Sequence, residues 1–170
     1  TDLAIQAGSF NLWDMERIEI LRGAQSTSQG VNSLAGSILL DHRRPSFSDE
    51  GAAKLGIGNF WHRELGVIAN SVLSEEKTAA RVSYDKEMND GYITNIANGN
   101  DKWGRWNRDR VTLGLQHKIS EKDALNFNGK FHRNDQGGTY VQGADAFRYE
   151  VNEDQDYQLK TTNHQFTVDY

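Results

Sequence analysis

The 170-residue chain has no cysteine and a single proline. The first absence rules out a disulfide framework and any thiolate metal site. The second suits long β-strands, because proline removes a ladder donor. No apolar run approaches the ~18 residues that a membrane-spanning helix needs, and mean hydropathy is -0.74. A helical membrane protein is therefore excluded. A transmembrane β-barrel is not, because its strands alternate apolar and polar residues and average out as hydrophilic. Excess positive charge is also missing. The net charge of -5 and a pI near 5.5 argue against a nucleic-acid binder. The five histidines, at 42, 62, 117, 132 and 164, show no metal-ligand spacing. No Gly-x-Ser-x-Gly elbow or Walker loop occurs. The chain reads as a non-enzyme without a metal or cofactor.

What is present is glycine, aromatics and a period of two. From Gly51 onward Ala53, Leu55 and Ile57 alternate with Lys54, Gly56 and Gly58. The same alternation returns at Leu65–Ala69, Ala80–Tyr84, Val111–Leu115, Leu125–Phe131 and Phe166–Tyr170. These segments predict six strands, an all-β architecture. Two connections are tight polar turns, Ser74-Glu75-Glu76-Lys77 and Ser120-Glu121-Lys122-Asp123. Two are long and polar, residues 89–107 and 134–160. Short turns on one side and long loops on the other are the habit of outer-membrane barrels. A soluble sandwich would also alternate, since one face of each sheet meets water.

Residues 1–44 differ. A strand over Ile18–Leu21 precedes a Ser/Gln/Gly-rich loop and a second strand over Ser37–Asp41. Pro45, in a polar run up to Glu50, marks a linker at 45–50. The stretch Asp14-Met15-Glu16-Arg17-Ile18-Glu19-Ile20-Leu21-Arg22-Gly23, followed by Leu34-Ala35-Gly36-Ser37-Ile38-Leu39-Leu40, carries the most specific signal. It resembles the C-terminal half of the plug domain of TonB-dependent outer-membrane receptors. Their usual pattern is Asp-Val-Glu-Arg-Ile-Glu-Val-Leu-Arg-Gly-Pro, a Gly/Asn loop, then Gly-Gly-Val-Ile-Asn-Ile. Asp90-Gly91-Tyr92 followed by Asn95 also resembles the family's habit after its third barrel strand. The chain departs from the pattern at Ala24, Ser28-Gln29, Ala35 and Leu39-Leu40-Asp41, which leaves the substrate open.

The resemblance implies the C-terminal part of a small α+β plug at 1–44, a linker at 45–50, and the first strands of a transmembrane antiparallel barrel at 51–170. A full barrel of this family has about 22 strands, so six are roughly a quarter. The chain is expected to continue at both ends. It opens at Thr1 without a signal sequence and stops at Tyr170 inside an alternating pattern. The implied function is active uptake across the Gram-negative outer membrane of an iron chelate, cobalamin or oligosaccharide. The implied partners are TonB, through a TonB box missing from this chain, and outer-membrane lipid and lipopolysaccharide. The alternatives are a soluble β-sandwich binding module and a passive porin-like channel.

Several residues are candidates for function. Arg17, Glu19 and Arg22 lie on the plug-like strand, where enclosed charge must be paired. They are expected to make plug–barrel ionic contacts, or an ordinary charge pair within the strand. Asp145, Glu150 and Asp154 stand among aromatics in the last long loop and could meet ligand or lipopolysaccharide; a solvated loop is the plainer reading. Trp103 and Trp106 are further candidates for contact with ligand or lipopolysaccharide; with Arg105, Arg108 and Arg110 they form a mixture that could bind nucleic acid, and in a barrel they are expected as an interfacial girdle reaching lipid. Ser26-Thr27-Ser28-Gln29-Gly30 offers hydroxyls and amides, and such runs usually satisfy their own backbone.

Overall fold

The computed structural model describes residues 13–23, 36–74, 77–138 and 150–170. The chain divides into two compact units, Thr1–Arg44 and Pro45–Tyr170. The loop at 26–30 lies outside the described residues.

In the first unit β1 (Met15–Arg22) pairs antiparallel with β2 (Gly36–His42). Strand alternation divides β1 into two faces. Ile18, Ile20 and Arg22 point one way, and Arg17, Glu19 and Leu21 the other. The register sets Arg17 opposite Asp41 and Ile20 opposite Ile38.

The second unit is built on one six-stranded antiparallel sheet. Its strands are β3 (Glu50–Gly58), β4 (His62–Ser74), β5 (Thr78–Asn89), β8 (Trp106–Lys118), β9 (Ala124–Gly137) and β11 (Gln158–Asp169). Their spatial order follows the chain, β3 to β11, as a meander. All six expected strands exist, and they run well past their apolar segments. From β4 onward they are 12 to 14 residues long. About 9–11 residues suffice for a tilted strand to cross a bilayer. The tight turn before β9 is closed by Ser120, whose Oγ donates to Asp123 at 2.7 Å and accepts from the amides of Lys122 and Asp123.

The long connections are more ordered than their polar composition suggests. They fold into a second sheet of β6 (Ile93–Asn95), β7 (Asn100–Trp103) and β10 (Glu150–Val151). β10 runs parallel to β6, and β6 antiparallel to β7. Ile93, Trp103 and Val151 form its small buried core. A Cβ at Gly138 would overlap the Trp103 indole, so only glycine fits there. Asn95 is fully buried and holds the two loops together. Its Nδ2 donates to the Glu153 carbonyl at 2.9 Å, and its Oδ1 accepts from the Glu153 amide at 3.1 Å.

Of residues 45–50, expected as a linker, Glu50 begins β3 and residues 45–49 lie on the sheet. The Ser46 amide donates to Asn70 Oδ1 at 3.0 Å. Asn70 Nδ2 donates to the Ser46 and Ser48 carbonyls at 2.8 and 2.6 Å. Asp49 Oδ1 accepts from the Val72 amide at 2.9 Å. Pro45 is buried over Gly114 of β8. Phe47 carries the Lys118 ammonium 4.1 Å above its ring.

Candidate functional site

The two faces of the large sheet have opposite chemistry, set by residue parity and register. One face reads Val67–Tyr84–Val111–Phe131 across neighbouring strands, with Ala69–Val82–Leu113 beside it. It is exposed: Val82 is 40% and Leu113 38% accessible. The other face reads Gly66–Asp85–Arg110–His132 and Asn70–Arg81–Gly114–Asn128. It is covered: Asp85 is 4% and Arg81 5% accessible. Soluble antiparallel sheets do the reverse, with the apolar face inside and the polar face in water.

Charges on the covered face form a connected ladder. Arg110 holds Asp85 at 2.8 Å and Glu87 at 3.2 Å. Arg108 reaches Glu87 at 3.7 Å. Lys54 bonds Glu64 at 3.1 Å and stands 3.9 Å from Asp85. Arg81 approaches Glu50 at 3.5 Å. The alternation of signs satisfies charges that would be costly if buried alone.

The Trp/Arg cluster expected as a girdle lies off the exposed apolar face. Trp106, Arg108 and Arg110 share parity with Thr112 and Gly114, so they lie on the polar face. Trp106 meets the His62 ring at 6.4 Å and carries the Arg108 guanidinium at 5.4 Å. Trp103, 3% accessible, is core of the loop sheet. Arg105 is turned to Asp135 at 3.4 Å.

The other expected residues fall as follows. Arg17 bonds Asp41 at 2.8 Å and Glu19 at 3.0 Å, all within the two-stranded sheet. The hydrogen bond to Asp41, then the charges of Glu19 and Asp41, raise the Arg17 pKa. Arg22 is exposed on the other face from Glu19. Glu150 begins β10 opposite Thr94, and Asp154 is an exposed bend residue. Asp145 lies outside the described residues. Beside Asp154, Asp156 has its pKa lowered by hydrogen bonds from Asn100, Asn98 and Asn95. Among the described residues no cluster of metal-ligating side chains occurs.

A cavity of about 620 Å³ opens at the long-loop end of the large sheet. Gly58, Phe60 and Trp61 line one side, and Asp90, Gly91, Asp101 and Lys102 the other. Phe60 and Trp61 are the central residues of the β3–β4 turn, closed by His62 N to Asn59 O at 3.1 Å. Both have left-handed backbones, φ 58° and 55°. Such a turn favours Asn-Gly, and each side chain there costs about 1–2 kcal/mol. The turn is tied to the neighbouring loop. The Asp90 amide donates to the Phe60 carbonyl at 3.2 Å, and the Phe60 ring lies tilted against Tyr92 with centroids 5.1 Å apart. Arg63 bonds Asp90 at 3.0 Å. The sequence signal for this site was two adjacent aromatics in a turn beside Gly58-Asn59, together with the Asp-Gly-Tyr motif.

No family model matches the chain, and no solved structure matches it. Curated proteins do. A ferrioxamine B receptor of Salmonella typhimurium is 28% identical over 129 residues, covering 75% of this chain and 17% of the receptor. The vitamin B12 transporter BtuB of Vibrio cholerae is 27% identical over 134 residues, 77% of this chain and 22% of the transporter. BtuB of Vibrio vulnificus is 28% identical over 116 residues. The chain is distantly homologous to TonB-dependent outer-membrane receptors. It spans about one fifth of the length of these relatives.

Proposed function

We propose that this chain is part of an energised outer-membrane uptake receptor. Residues 1–44 act as plug segment, residues 45–50 as the junction, and residues 51–170 as the first barrel strands. The observation that carries the reading is the inverted sheet: long strands with an exposed apolar face and a covered, charge-paired one. An apolar face of this kind suits lipid, and the paired face suits a barrel interior. The exposure of that apolar face, with Val82 40% and Leu113 38% accessible, disfavours the soluble sandwich. On this reading β3 and β11 are the sheet's edges, to be paired by further strands.

The turns at 74–77 and 120–123 then face the periplasm, and the long loops, with the β3–β4 turn beside them, the cell exterior. Arg17, Glu19 and Asp41 form an ionic cluster on the plug segment, and Arg22 is presented to a carboxylate of the enclosing wall. TonB supplies the pull that releases the plug; an iron chelate, cobalamin or oligosaccharide is the cargo.

These 170 residues contain no cysteine, so single cysteines placed in them, in a full-length background cleared of any others, report the topology. In intact cells producing the full-length protein, Lys102→Cys should react with a membrane-impermeant maleimide and Glu121→Cys should not. Equal labelling of both would overturn the orientation. Uptake of ferric hydroxamate, cobalamin and maltooligosaccharide, measured with and without TonB, tests energisation. Uptake that persists without TonB would make the protein a passive channel.

A further inference from the structure

The cavity under the Phe60–Trp61 turn has a composition that selects its ligand. Its rings are presented outward: Trp61 is 73% and Phe60 54% accessible. Its carboxylates, Asp90 and Asp101, are matched by Lys102 on the rim and by Arg63 bonded to Asp90. Two acids against two bases leave the rim without net charge, so neither a cation nor an anion is favoured. The volume of about 620 Å³ falls within the range of roughly 300–1,000 Å³ typical of small-molecule sites. The backbone holds two aromatics where Asn-Gly would sit without strain, and strain of this kind gathers at ligand clamps.

A ligand suited to this cavity is neutral, carries hydroxyls that donate to carboxylates and accept from an ammonium, and offers a flat C–H face to a ring. We infer that the cavity is a subsite for a neutral pyranose ring, stacked on Trp61 and hydrogen-bonded by Asp101, Asp90 and Lys102. The sugar comes either from a free oligosaccharide or from the saccharide of lipopolysaccharide. The inference rests on the proposed topology only for the side of the membrane the cavity faces; its recognition chemistry stands on the geometry alone.

Saturation-transfer NMR on the full-length protein in detergent micelles tests it. The probes are maltotetraose, cellotetraose and the deacylated core oligosaccharide of lipopolysaccharide, with tetramethylammonium as the cationic control. Saturation should pass to pyranose ring protons of at least one saccharide. Trp61→Ala should lower it at least fivefold, Trp61→Tyr should retain most of it, and Asp101→Asn should lower it severalfold. Heat-modified electrophoretic mobility identifies which variants are folded; if Trp61→Ala is not, Asp101→Asn and Trp61→Tyr carry the test. Transfer to the tetrasaccharides assigns a free sugar, and transfer to the core oligosaccharide assigns lipopolysaccharide. No transfer to any saccharide, transfer unchanged in the folded variants, or Trp61-dependent transfer to tetramethylammonium alone overturns the inference. These outcomes leave the maleimide topology result untouched, so the two readings fail separately.

Discussion

Removing Arg110 should harm the fold more than removing the acid it holds most closely. Arg110 joins Asp85 at 2.8 Å to Glu87 at 3.2 Å, and both acids sit on the covered face. Without it, the nearest cation to Asp85 is Lys54 at 3.9 Å, which already serves Glu64 at 3.1 Å. Glu87 keeps Arg108 at 3.7 Å. A buried acid is thus left poorly matched, and Arg110→Ala should cost about 3–5 kcal/mol. Asp85→Ala differs, because Arg110 retains Glu87. It loses charged hydrogen bonds but strands no charge, and should cost about 1–2 kcal/mol. The double variant removes the stranded acid together with its partner and should recover at least ~1 kcal/mol relative to Arg110→Ala. Urea unfolding of the full-length protein in micelles, followed by tryptophan fluorescence, gives the three values from midpoints at constant slope. An Asp85→Ala loss equal to that of Arg110→Ala, or an additive double variant, would refute the ladder as drawn.

Three further outcomes are expected. A Cβ at Gly114 would stand 3.0 Å from Pro45 Cγ. Gly114→Ala should therefore cost about 1–3 kcal/mol by overpacking, and less in a Pro45→Ala background, as read by the same urea titration. Gly138→Ala should displace Trp103 and speed amide exchange at Ile93 and Asn95 while leaving the centre of β5 protected; exchange sped equally everywhere, or unchanged, would contradict the packing. Asp156 has a folded-state pKa below its ordinary 3.8. Its contribution to loop order is therefore complete above the ordinary value and lost as pH falls through the lower folded value. The Asn98 side-chain amide resonance should shift in that acid window and stay flat in Asp156→Asn.

The strand count and the in-order meander were legible because apolar residues recur with period two and the turns are sharply polar. Strand length was not. The ladder continues through charged residues such as Arg108 and Arg110, whose backbone pairing leaves no mark in hydropathy. The same residues show how a local cluster misleads. Trp106, Arg108 and Arg110 look like a lipid-facing belt by composition, yet counting parity from Val111, Leu113 and Leu115 puts them on the opposite face. The loop sheet was invisible for a different reason. β6 and β10 have only three and two residues and meet across a wide sequence gap, Asn95 against Val151. At the cavity the residue types were visible, but only the fold brings the β3–β4 turn and the Asp90–Lys102 loop together.

The stitching of residues 45–49 to β4 decides where mechanical load enters the sheet. A pull on the chain ahead of Pro45 meets Asn70, with its three hydrogen bonds to Ser46 and Ser48, before it meets the first rung of β3. The Asp49 clasp on the Val72 amide lies beyond that. Tension is thus delivered to the middle of a strand that has neighbours on both sides, instead of to the free end of an outermost one. Peeling, in which rungs break one at a time from an end, is the cheapest way to dismantle a sheet by force. The clasp blocks that route, so residues ahead of it can be drawn on while the sheet behind keeps β3.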